Sequence, residues 1–131
     1  MGIIAVLVAA LAGYGFGTIW YMGLAKPWMA ATGVEVGDDG NPVNSKDPLP
    51  YISAFIMAIL VAGMMRHVFV MSGIETVGKG LTTGLGLGLF IAAPWIVNNV
   101  MFSNKPKILA AIDGGYAAGG CTVIGLVLAL F

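Results

Sequence analysis

An aspartate stands at position 113, inside the segment KILAAIDGGY (107–116) of an otherwise apolar run. A carboxylate in such a setting can tie helices together as a hydrogen-bond acceptor, carry a proton, or bind a cation. An ionisable side chain within a membrane helix is costly and marks a functional candidate. Asn98 and Asn99 lie about seven residues before the turn at Lys105-Pro106, and Asp113 lies about seven after it. At a rise of 1.5 Å per residue, both sets stand roughly 10 Å from that turn. They therefore share a depth, just below the headgroups. Trp20 and Tyr21, closing the first apolar block, and Tyr51 and Ser53, opening the second, come to the same end. The spacing thus predicts a polar cluster at one end of the molecule.

Within that cluster the carboxylate has two readings. As a structural acceptor, Asp113 takes hydrogen bonds from the Asn98 or Asn99 amide or a tyrosine hydroxyl, or pairs with Lys26 or Lys107, and so locks the hairpin of the last two helices. At this shallow depth lysine side chains reach it by snorkelling. As a functional group, it is a ligand or proton site. The structural reading is preferred. Pro94 should kink the third helix just before Trp95 and free a carbonyl near the cluster.

The other reactive side chains carry less. Arg66-His67 sits near the far end of the second helix, where Arg66 is expected to pair with Glu75. A lone histidine ligating haem would need a second chain for a bis-histidine site, and no CxxCH, HExxH or paired-carboxylate motif accompanies it. The DDGN of residues 38–41 lacks the alternate-oxygen spacing and distal glutamate of a calcium loop. Cys121 is the lone cysteine, which rules out an intramolecular disulfide and reads as a small inert hydrophobe. No nucleophile–base pair can be assembled. The expectation is no catalytic residue, no metal and no cofactor.

The elements that position these residues are read from composition. Of 131 residues, 59% are hydrophobic and 9% charged, and the mean hydropathy is +0.95. Soluble domains are about 25% charged. Net charge is zero, so nothing points to nucleic acid. Four apolar blocks reach the roughly 20 residues needed to cross a bilayer core: about 3–24, 50–71, 80–102 and 106–131. The first lacks the basic flank of a signal peptide, and Val6 breaks the myristoylation pattern. The fold expected is a single-domain, all-α integral membrane protein, an antiparallel four-transmembrane-helix bundle, because short links force neighbours to run in opposite directions. The one extended polar stretch is residues 33–49, GVEVGDDGNPVNSKDPL, with four of the six acids; its VEV-GDDG-NPV suits a short hairpin.

Small residues recur at every fourth position: Ala5, Ala9, Gly13 and Gly17; Ala54, Ala58 and Ala62; Gly80, Gly84 and Gly88; Ala111, Gly115 and Gly119. Such stripes let backbones approach closely, either inside the bundle, which is the preferred reading, or at an oligomer face. Lys26, Lys46, Lys105 and Lys107 on one side against Arg66 and Lys79 on the other predict a cytoplasmic long loop and both termini outside.

The combination of GTIWYMGLAKPWM in the first helix, the paired asparagines late in the third and IDGGY in the fourth resembles the bacterial membrane family catalogued as domain of unknown function 1761. The resemblance implies a four-helix protein of this length. Its tryptophan–tyrosine pair, following lysine and second tryptophan correspond to Trp20, Tyr21, Lys26 and Trp28, and its last-helix motif to Asp113, Gly115 and Tyr116. It implies no activity. The function expected is therefore a non-enzymatic inner-membrane protein that binds a small molecule, lipid or partner protein through Trp20, Tyr21, Lys26, Trp28, Trp95, Asn98, Asn99, Asp113 and Tyr116, such as an accessory subunit of a membrane complex. The alternative is a small homo-oligomeric transporter or channel with Asp113 as its ion or proton site.

Overall fold

The computed structural model of the chain describes residues 2–131. Six α-helices follow one another: α1 (Gly2–Gly23), α2 (Ala25–Thr32), α3 (Leu49–Ser72), α4 (Val77–Leu87), α5 (Ala93–Phe102) and α6 (Lys107–Ala129). A π-helical turn, Gly88–Ala92, joins α4 and α5 into one continuous span. Four helices are long and apolar enough to cross a membrane: α1, α3, α4 through α5, and α6. The protein is an all-helical, multi-pass membrane protein.

The distribution of side chains supports the same conclusion. The buried residues are mostly small: Ala5, Ala9, Ala10, Ala58, Ala62 and Ala93 are among them, whereas Ile3, Leu11, Ile19, Leu60, Phe90 and Phe102 are exposed. Water would drive the opposite arrangement. In lipid no hydrophobic force drives helices together, so small residues that permit close packing occupy the interior and large apolar ones face the hydrocarbon.

Helix α6 is the centre of the fold. It packs against α1 on one side and against α4, the π turn and α5 on the other, while α3 packs chiefly on α1. Paired residues run in opposite senses along each contact: Gly2 meets Arg66 and Tyr14 meets Phe55; Gly13 meets Ile124 and Gly17 meets Tyr116; Gly80 meets Ala129 and Gly84 meets Cys121. Here the expectation drawn from link length needs correcting. Although only residues 73–76 separate them, α3 and α4 are not packed neighbours. The link crosses the ends of α1 and α6, with Ile74 against the buried cluster that includes Ala5 and Leu128. The glycines of α4 find their closest fit on α6, and that contact outweighs sequence adjacency.

Two α6 interfaces use the small residues differently. Against α4 the contact is backbone on backbone: a Cβ on Gly80 would stand 2.7 Å from the Gly125 carbonyl oxygen, and one on Gly88 would stand 2.6 Å from that of Ala117. Against α1, rings fill notches. Trp20 lies over Gly115, Phe16 over Gly119, and Tyr116 of α6 over Gly17 of α1. The stripes at Gly13, Gly17, Gly80, Gly84, Gly88, Gly115 and Gly119 are thus packing surfaces within the chain, while Ala54 and Ala111 are exposed.

Local boundaries follow ordinary helix chemistry. Gly73, at φ 68°, closes α3 in the left-handed region, where its lack of a Cβ removes the steric penalty. The Thr76 hydroxyl accepts the Lys79 N–H at 3.2 Å and starts α4. Pro94 offers no N–H to the helix, and the turn before it is relaxed to π spacing, with the Ala93 N–H donated to the Gly88 carbonyl. The π turn that precedes Pro94 lies beside Ala117 and Ala118 of α6. The polar stretch does form a tight hairpin, with a single antiparallel bridge between Val36 and Pro42.

With four spans, the hairpin and the link after α3 should lie on opposite membrane faces. Single cysteines at residues 36–47 should react with an impermeant maleimide from one side, and cysteines at 73–78 only from the other. Labelling of both sets from the same side would contradict four crossings.

Candidate functional site

At the end of the molecule that holds the hairpin, α1 supplies two adjacent side chains to two adjacent residues of α6. The Tyr21 hydroxyl donates to Asp113 Oδ1 at 2.6 Å. The Trp20 indole Nε1–H donates to the Ile112 carbonyl at 2.9 Å. Donor and acceptor of each pair are 92 residues apart in sequence, so these are tertiary locks. A hydrogen bond to a charged acceptor is worth about 1.5–3 kcal/mol net, and its short length fits an O–H donor on a carboxylate.

Aromatic rings complete the site. Tyr116, one turn along α6 from Asp113, lies 5.2 Å from Tyr21 between ring centroids, and Phe16 stacks on Trp20 at 5.7 Å. The chain then breaks at Leu24 and enters α2, which lays Trp28 edge-on against Tyr21 at 6.2 Å. The C-terminal end of helix α2 is held twice. Ala31 is buried with Val100 and Leu109, and Lys105 Nζ donates to the Thr32 carbonyl at 2.8 Å, from the turn between α5 and α6.

Trp20, Tyr21, Trp28, Asp113 and Tyr116 are therefore brought together. Four other predicted site residues are not. Lys26 is exposed on α2, and Trp95, Asn98 and Asn99 are exposed on α5. Asn98 and Asn99 do not point toward Asp113. Helix α5 turns Ala93 and Val100 inward, and at about 100° per residue Asn98 stands roughly 160° away from Val100. The acceptor role expected for Asp113 is realised with a tyrosine hydroxyl, and it joins α1 to α6 rather than α5 to α6. The Tyr51 hydroxyl, in the first turn of α3, donates to the Ser45 carbonyl of the preceding loop at 2.8 Å.

Phe16 and the helix α2 are parts of the site that sequence reasoning passed over, and Gly17 and Gly119, read as packing stripes, were not linked to it. The spacing of Phe16 and Trp20, four apart, mirrors that of Gly115 and Gly119, and a ring-in-notch match between the two pairs was the available signal.

Asp113 is half-buried, and its second carboxylate oxygen accepts no hydrogen bond from a side chain of the described residues. A carboxylate has room for about four acceptor contacts. Chemically, the site can anchor α1 on α6 and still take a donor or a cation from outside. At the opposite end of the molecule, Arg66 and Glu75 line one groove, but no side-chain hydrogen bond joins them.

No curated protein and no solved structure matches the chain. The family model described as protein of unknown function (DUF1761) matches residues 4–129. That match takes in all four spans, the tyrosine–aspartate lock and the helix that caps it, and the chain belongs to this family.

Proposed function

We propose that the protein is a non-enzymatic inner-membrane protein that binds a partner protein, as an accessory subunit of a larger membrane complex, through the end that carries Asp113. The observation that supports this reading is the outer face of α5. Asn98 and Asn99 are exposed there, flanked by Trp95 at 69% and Phe102 at 91% exposure. A face turned to lipid alone favours apolar residues, whereas carboxamides hydrogen-bond between membrane helices. Trp95, Asn98 and Phe102 recur at helical spacing on one stripe, and α5 forms the outer edge of the helix row. The cation bias of the loops supports both termini outside and the hairpin in the cytoplasm.

The test is purification in a mild detergent, with mass spectrometry of every co-purifying chain. A second polypeptide in fixed stoichiometry is expected. The double variant Asn98→Leu/Asn99→Leu should lower its recovery at least tenfold while leaving the melting temperature of the isolated chain within about 2 °C, since neither residue packs inside the chain. Recovery of the chain alone, or a partner indifferent to the double variant, would contradict the proposal.

A second reading rests on the free oxygen of Asp113 within a membrane span: a homo-oligomeric transporter with that carboxylate as its proton or cation site. It requires a homo-oligomer and ion movement in proteoliposomes that Asp113→Asn abolishes.

A further inference from the structure

Two grooves between helices lie at the end of the molecule away from Asp113. One, of about 460 Å³, runs between α1 and α3 and is walled by Val6, Leu7, Ile59 and Gly63, with Arg66 and His67 at its rim. The other, of about 480 Å³, opens on the opposite side of Arg66 toward Phe69 and Leu128. Arg66 is half-buried between them. Its guanidinium lies over the first turn of α1, with Cζ 2.9 Å from where a Cβ on Gly2 would stand. Among the described residues, neither Arg66 nor His67 makes a side-chain hydrogen bond.

We infer that this groove binds one phospholipid, its phosphate held by the Arg66 guanidinium beside the first turn of α1, and one acyl chain laid along Val6, Leu7, Ile59 and Gly63. Charge complementarity carries the assignment. The first N–H groups of a helix have no acceptor within it, and together with the helix dipole they favour an anion. Arg66 adds a full positive charge and a planar fork that suits phosphate oxygens. Among the described residues the Arg66 guanidinium donates no hydrogen bond, and phosphates are the anions that a membrane supplies at the end of a span. Below the rim the walls are hydrocarbon. From Arg66 to Ile59 the groove follows α3 for about 10 Å, roughly the length of eight methylenes. Gly63 keeps the groove open, because nothing stands within 4 Å of where its Cβ would be.

The probes are dioleoylphosphatidylglycerol, dioleoylglycerol (which has the same chains and no phosphate) and inorganic phosphate. Each is titrated into detergent-purified full-length protein and read by native mass spectrometry. One phosphatidylglycerol should bind saturably, with dioleoylglycerol and inorganic phosphate each at least tenfold weaker. Arg66→Gln should weaken phosphatidylglycerol about tenfold, the loss expected for a charge-assisted contact. Gly63→Leu, which keeps the charge and fills the groove, should weaken it by a similar factor at an unchanged melting temperature. Equal binding of dioleoylglycerol, competition by inorganic phosphate at matched concentration, or full binding by either variant would overturn the assignment.

Discussion

Gly84→Leu should be among the most damaging single substitutions in the membrane-spanning part of this protein. A Cβ at Gly84 would drive into the Cys121 carbonyl oxygen and would stand 3.2 Å from Thr122 Cα. Both are backbone atoms in the middle of α6, which cannot rotate away as a side chain does. Relief requires separating α4 from α6 and gives up the contacts on either side, at Gly80 with Gly125 and at Gly88 with Ala117. Overpacking typically costs about 1–3 kcal/mol, occasionally more, and this seam belongs at or above the top of that range. Gly86, two residues on, has nothing within 4 Å of where its Cβ would be. Gly86→Leu should therefore leave the melting temperature in detergent unchanged or slightly raised by its better helix propensity. Equal melting of both variants would place the α4 glycines away from α6.

The glycine seam also marks what sequence could and could not supply. Spans were legible because long apolar blocks are a one-dimensional signal: the expected 50–71 became Leu49–Ser72, and the expected 106–131 became Lys107–Ala129. Stripes of small residues were legible for the same reason. Which stripe faces which was not, because that depends on complementary shape between distant segments. Link length misled at α3 and α4, where it carries no information about the contacts α6 can make. Depth alone misled at Asn98 and Asn99. Two side chains at the same height meet only if they also point toward each other, and the inward positions Ala93 and Val100 turn both asparagines outward. Helix α2 escaped because eight residues containing Pro27 give too short a periodic signal, although Trp28 and Ala31 were the residues its packing needed.

The second large effect is expected at Asp113. Asp113→Leu removes the acceptor of the Tyr21 hydroxyl and leaves a half-buried O–H without its partner, a loss of about 1–3 kcal/mol. Asp113→Asn retains an acceptor of the same size and should lose less than half as much. The ordering distinguishes a lock from a surface charge: a carboxylate that merely faces the headgroups would give two variants as stable as the parent. Trp20, which donates to the neighbouring Ile112 carbonyl, should hold α1 near α6 even in the Leu variant, so the fold survives and the loss is measurable.

The claim on which the site rests is that Tyr21 and Asp113 act as one unit across α1 and α6. A double-mutant cycle of Tyr21→Phe and Asp113→Leu, read as unfolding free energy in a fixed detergent, measures that claim directly. Each single variant should lose stability, and the double variant should lose little more than either, giving a coupling of about 1–2 kcal/mol. Additive losses, with coupling within about 0.3 kcal/mol of zero, would mean that the hydroxyl and the carboxylate do not depend on each other, and the lock would be refuted.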